Sequence, residues 1–140
     1  MKAALDGLRP RQFRDDAVVL SERGTLVCRW YLAAARYSAA FVPVLWRYEV
    51  NAVLAKAQKD GILTALKANG FLATLKKLNI AVDPDSADRI LTDVHRLAVT
   101  YRLTSYDASY LELALRKNLP LATLDSELIV ACKASSAALL

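Results

Sequence analysis

The sequence predicts an α/β domain with a small, mostly parallel sheet, its helices packed on both faces. Short apolar runs alternate with longer amphipathic stretches along the chain, the pattern of strand–helix–strand units. The 140 residues are 55% hydrophobic and 24% charged, enough for one core and too few for two domains. Only four Gly and four Pro punctuate the chain, so collagen-like and low-complexity classes are excluded, and the apolar fraction excludes disorder.

The elements follow in order. Ala3-Ala4-Leu5 reads as a short first strand closed by Asp6, and Asp16 to about Arg36 as a helix, interrupted near Gly24. Phe41-Val42-Pro43-Val44-Leu45 is a second strand, which Pro43 frays or ends because it lacks a backbone donor. A helix over Arg47 to Lys59 stops at Asp60-Gly61, and a further helix covers Ile62 to Leu78. Ile80-Ala81-Val82 is a short strand bounded by Asp83-Pro84. Ser86 to Thr100 is a helix with Ile90, Val94, Leu97 and Ala98 on one face. Leu103-Thr104 is at most a very short strand. Tyr106 to Lys117 is a helix, Leu119 to Leu124 a last strand, and a final helix starts at Ser126.

The net charge of +5 is concentrated early: residues 1–60 hold ten Lys/Arg against six Asp/Glu, and residues 61–140 hold nine against eight. A basic segment containing Arg9, Arg11 and Arg14 attracts polyanions such as nucleic acid, although a modest positive charge also serves solubility. Cys28 and Cys132 cannot build a disulfide framework and suit a reducing compartment. The longest weakly charged stretch, Tyr37 to Trp46, is far short of the about 20 apolar residues of a membrane span. With no apolar signal core near Met1, the expectation is a soluble, cytoplasmic protein without membrane association.

Four carboxylates fall at equivalent places in this reading. Asp6 closes the first strand, Glu49 lies in the first turn of the helix after the second, Asp107 opens the helix after Leu103-Thr104, and Asp125 closes the last strand. In an open parallel sheet, strand C-termini and the helix N-termini that follow share one edge, where ligands bind. Converging carboxylates repel unless something neutralises them. A hard divalent cation such as Mg²⁺ or Mn²⁺ does so and supports phosphodiester hydrolysis. Each residue also has a structural reading. Thr104-Ser105-Tyr106-Asp107 fits a capping box, Asp125 an N-cap, Glu49 a favourable dipole position and Asp6 a turn. Jointly the catalytic reading is favoured, because caps need not choose the same sheet edge.

The segment Val42-Pro43-Val44-Leu45-Trp46-Arg47-Tyr48-Glu49-Val50 resembles the second acidic motif of PIN-domain ribonucleases, especially the toxin subunits of VapBC toxin–antitoxin pairs. Leu103-Thr104-Ser105-Tyr106-Asp107-Ala108-Ser109-Tyr110-Leu111 is similar to their third motif, and Leu119-Pro120-Leu121-Ala122-Thr123-Leu124-Asp125 to their fourth. The first 40 residues depart from the family pattern: Asp6 is followed by Gly7-Leu8-Arg9-Pro10-Arg11 where the family typically has small residues such as Ala-Ser.

The resemblance implies a single three-layer α/β/α PIN-like domain over residues 1–140. It also implies a Mg²⁺- or Mn²⁺-dependent endoribonuclease acting as the toxin of a type II pair. Asp6 and Asp107 would be the principal metal ligands, Glu49 and Asp125 would complete the acidic pocket, and the Thr104 hydroxyl would support Asp107. The implied partners are RNA as substrate, a small antitoxin that occludes the pocket, and a second copy of the chain in a homodimer. The alternative is a catalytically degenerate PIN-like module that binds RNA or a protein partner. A receiver-like phosphoacceptor domain is disfavoured, because no Asp-Asp pair follows the first strand. His95 lacks a second ligand-type neighbour in pattern, and Ser105 and Ser109 lie in no nucleophile-elbow motif.

Overall fold

The computed structural model describes residues 18–20 and 39–140. Four parallel strands form one sheet: β1 (Val18–Leu20), β2 (Ala40–Val42), β3 (Ile80–Val82) and β4 (Leu121–Ala122), in the spatial order β3-β2-β1-β4. Helices α1 (Leu45–Lys59) and α2 (Ala65–Leu75) connect β2 to β3. A 3₁₀ turn (Pro84–Ser86), a π-helical stretch (Ile90–Val94), α3 (His95–Tyr101) and α4 (Ser105–Lys117) connect β3 to β4. Helix α5 (Ser126–Ser135) follows β4, and Leu139 returns to bridge Leu121 in parallel.

Strand register separates the two faces of the sheet. Phe41 pairs with Val19 and Val19 with Leu121, so these three residues form one row across β2, β1 and β4. That row meets the larger core, with Val94, Leu97, Leu111, Leu113 and Leu128 of the π-helical stretch, α3, α4 and α5. Side chains alternate along a strand. Ala40, Val42 and Ala122 therefore face the opposite way, against Trp46, Leu78 and Ile80. Helices thus cover both faces, which is the three-layer α/β/α arrangement the sequence predicts. Val19, at 0% exposure, lies in the larger core on an inner strand of the sheet.

The structure corrects the sequence reading at several elements. Val18–Leu20 is a strand, although it falls within the stretch read as a helix from Asp16 to about Arg36. Three apolar residues are too few for periodicity to separate strand from buried helix, and hydrogen-bonded neighbours on both sides decide it. The expected strand Ala3-Ala4-Leu5 lies outside the described residues. Strand β2 ends at Val42, and the chain turns into α1 at Leu45, so Val44 and Leu45 are not strand. The turn is closed by Trp46 N–H on Pro43 O (3.1 Å) and Arg47 N–H on Val44 O (3.2 Å).

Helix α2 spans only Ala65–Leu75 of the expected Ile62 to Leu78. Thr64 caps its start by accepting from Lys67 N–H at 3.3 Å. The expected helix from Ser86 to Thr100 is broken into 3₁₀, π and α segments. Leu103-Thr104 forms no strand, because Thr104 is the N-cap of α4. Only Leu121–Ala122 of the expected Leu119 to Leu124 pairs in the sheet.

The position of Val19 gives a direct test of the central strand. Val19→Asp would bury a carboxylate without a partner, a change that costs several kcal/mol. Thermal unfolding followed by circular dichroism should lose its cooperative transition in this variant. Wild-type melting would mean that Val19 is not at the centre of the sheet.

Candidate active site

The C-terminal ends of the parallel strands lead into the segments that carry the acidic residues. After β2, α1 starts at Leu45 and bears the half-buried Glu49 on its fifth residue. No acidic residue lies in the first turn of α1, so the helix-dipole account of Glu49 does not hold. The turn after β3 is fastened to the turn after β2. Asp83 N–H donates to Val42 O at 2.8 Å, and Ser86 Oγ donates to Asp83 O and accepts from Val44 N–H, each at 2.9 Å.

Asp107 stands third in α4 and is 4% exposed. Thr104, extended at φ −65° and ψ 156°, accepts from Asp107 N–H at 3.1 Å and donates its own proton to Asp107 Oδ2 at 2.6 Å. A single hydroxyl thus caps the helix and orients the carboxylate, and the positive end of the helix dipole favours the anion there. One turn along the same helix, the buried Tyr110 donates its phenol proton to Glu49 Oε2, joining α4 to α1. The residues of the second and third acidic motifs are therefore physically linked. Asp125, after β4, is half-buried and caps α5, its Oδ1 accepting from Leu128 N–H at 2.9 Å. Asp6 lies outside the described residues.

Among the described residues, no group of three or more His, Cys, Asp or Glu is arranged to hold a metal ion. The carboxylates at this edge are all hard oxygen donors. That chemistry fits Mg²⁺ or Mn²⁺, which bind through one or two carboxylates with water completing the shell. His95 is exposed, and Cys132 is a buried free thiol whose pKa burial pushes up to about 11, so it is unreactive at neutral pH. Cys28 lies outside the described residues.

Sequence reasoning missed two features. One is the Tyr110–Glu49 bond: a tyrosine on the buried face of a helix needs a partner for its hydroxyl, but only the fold shows which one. The other is a charge cluster at the far end of α4. Asp83, 1% exposed, accepts from Arg116 Nη2 at 2.7 Å and pairs with Lys117 Nζ at 2.9 Å. Arg116 Nε also meets Glu112 Oε1 at 2.7 Å, and Lys117 Nζ sits 5.0 Å from the centre of the Phe41 ring. Burial alone would raise the Asp83 pKa, but hydrogen bonds from Arg116 and Lys117 outweigh it and hold the carboxyl below its usual value.

Carboxylates at the C-terminal edge of a doubly covered parallel sheet define a class of protein in which metal-assisted chemistry on phosphates is a recurring use. The PIN domain family model matches residues 16–134, and the chain belongs to that family. PIN domains are generally nucleases, which makes a nuclease the functional class of this chain. The crystal structure of PAE2754 from Pyrobaculum aerophilum is similar, with 25% sequence identity, a TM-score of 0.58, and coverage of 84% of this chain and 86% of that one. Compared with curated proteins, the chain finds no match.

The charge cluster makes stability depend on pH in a predictable direction. The folded pKa of Asp83 is depressed, so its contribution is complete above the unfolded value of about 3.9 and is lost as pH falls through the folded value. Asp83→Asn should cost roughly 3 kcal/mol in urea denaturation at pH 7, because Arg116 and Lys117 lose a buried counter-charge. The gap should narrow as pH falls below about 4. An equal gap at pH 7 and pH 3 would contradict this account.

Proposed function

We propose that this PIN domain is a Mg²⁺- or Mn²⁺-dependent endoribonuclease and acts as the toxin of a toxin–antitoxin pair. The observation that carries the reading is Asp107, a buried carboxylate at the start of a helix on the ligand-binding edge, oriented by Thr104. Asp107 and Asp6 are the proposed metal ligands, with Glu49 and Asp125 completing the acidic pocket. A bound divalent cation would supply a water of lowered pKa and neutralise charge developing on the phosphate.

The chain's own groups would do the positioning. Thr104 holds one Asp107 oxygen, and α4 presents that carboxylate from a rigid, buried element. Such fixation counts, because a placement error of about 1 Å can cost roughly 10²-fold in rate. The proposed partners are RNA, a small antitoxin that covers the acidic edge, and a second copy of the chain. Among the described residues, no helix is long and apolar enough to cross a membrane. A cytoplasmic location is part of the proposal.

A second reading is a PIN module that binds RNA or protein without cutting it. The use of Asp125 as the cap of α5 favours it, since one of its oxygens is already committed to Leu128 N–H.

The two readings separate in one set of measurements. Mn²⁺ at millimolar concentration should raise the melting temperature by linkage, and Asp107→Asn should remove most of the rise. The purified protein should cleave RNA with Mg²⁺ or Mn²⁺, and EDTA or Asp107→Asn should abolish cleavage. RNA binding without cleavage under all metal conditions would replace the enzyme with the binding module.

A further inference from the structure

We infer that Tyr110 is a positioning residue for Glu49. The inference rests on the nuclease reading, in which Glu49 belongs to the acidic pocket. Its basis is the hydrogen bond from the Tyr110 hydroxyl to Glu49 Oε2, made between residues on different helices.

Each of the two residues has what such a role requires. Tyr110 is 2% exposed and belongs to the main core cluster with Leu111 and Leu113, so its ring is held by packing on every side. A tyrosine side chain has two main torsions. Once the ring is fixed, its hydroxyl is a donor at a set point in space, at small further entropic cost. Glu49 is different. It sits half-buried on α1, between the exposed Tyr48 and the half-buried Val50, and carries three side-chain torsions. The bond from Tyr110 narrows the rotamers open to its carboxylate. A phenol bonded to a carboxylate makes a charge-assisted hydrogen bond, stronger than a neutral one.

The bond also sets the relation between two motifs. Tyr110 follows Asp107 by one helical turn, so both residues project from α4 toward neighbouring parts of its surface. Asp107 is aimed by Thr104 at the start of the turn, and Glu49 is anchored by Tyr110 at its end. Helix α4 thereby fixes one carboxylate of its own and one belonging to α1. Tyr110 would fix a single oxygen of Glu49 and act through that carboxylate, touching neither RNA nor metal.

The test is Tyr110→Phe, which removes the hydroxyl and keeps the ring. In this variant kcat for RNA cleavage should fall ten- to hundredfold, the range for lost support around a metal pocket, with KM unchanged. Mn²⁺ affinity of the RNA-free protein, read by electron paramagnetic resonance, should weaken by about tenfold. In a Glu49→Gln background, Tyr110→Phe should add no further loss, because its effect passes through Glu49. A purely structural tyrosine would instead lower the melting temperature and multiply with Glu49→Gln. Tyr110→Met, an apolar replacement that adapts to the core, serves as the test if the phenylalanine variant does not fold. Unchanged kcat and Mn²⁺ affinity in a folded variant would overturn the role of Tyr110 and leave the nuclease reading standing. A wild-type protein that neither binds Mn²⁺ nor cleaves RNA would overturn the nuclease reading and this role with it.

Discussion

Helix α4 is buried without interruption from Asp107 to Ala114, and that stretch holds Asp107, Ser109, Tyr110 and Glu112 among its apolar residues. Polar groups removed from water need partners, and buried charges most of all. Each of them has one, three of them within α4 or its cap and one on α1. Thr104 serves Asp107, Ser109 returns its hydroxyl to the Ser105 carbonyl, Tyr110 reaches Glu49, and Arg116 covers Glu112. Meeting these demands ties the helix to α1 at one end and, through Arg116 and Lys117, to the end of β3 at the other. The orientation of α4 is thus over-determined, and so is the direction in which it presents Asp107.

The two ends of α4 are chemically unlike. The N-terminal end holds carboxylates that accept from hydroxyl groups, Asp107 from Thr104 and Glu49 from Tyr110. The C-terminal end is a network in which Asp83, Asp93 and Glu112 are matched by Arg89, Arg96, Arg116 and Lys117. Removing charges from water is costly even when they are paired, so such a cluster contributes geometric definition more than net stability. It locks the irregular connection after β3, with its 3₁₀ and π segments, against α4. The two ends thus differ in the groups that hold their carboxylates, hydroxyl groups at one and guanidinium and ammonium groups at the other.

The sheet adds a second constraint. Parallel strands covered on both faces are apolar on both sides, and even three residues suffice when neighbours pair on each edge. Val19 pairs with Phe41 on one side and Leu121 on the other, so the central position of β1 follows from its partners and not from its length. The match of the family model to residues 16–134 takes in this strand, helices α1 to α4 and all of α5 but its last residue.

The sequence by itself determined the fold class, the helices around Arg47 to Lys59 and Tyr106 to Lys117, and the strand Ile80–Val82. In these segments a periodic pattern is bounded by strong stop signals such as Asp60-Gly61 and Asp83-Pro84. It also brought out Thr104 and Asp107, because a hydroxyl three residues before an acid on an apolar helix is a local pattern with local geometry. Only the tertiary structure decided that Val18–Leu20 is a strand, that Tyr110 meets Glu49, and that Asp83 is the buried counter-ion of Arg116 and Lys117. The physical reason is common to all three. Each depends on which residues distant in sequence come to lie side by side, and neither a short apolar run nor a single polar residue carries that information in its own neighbourhood.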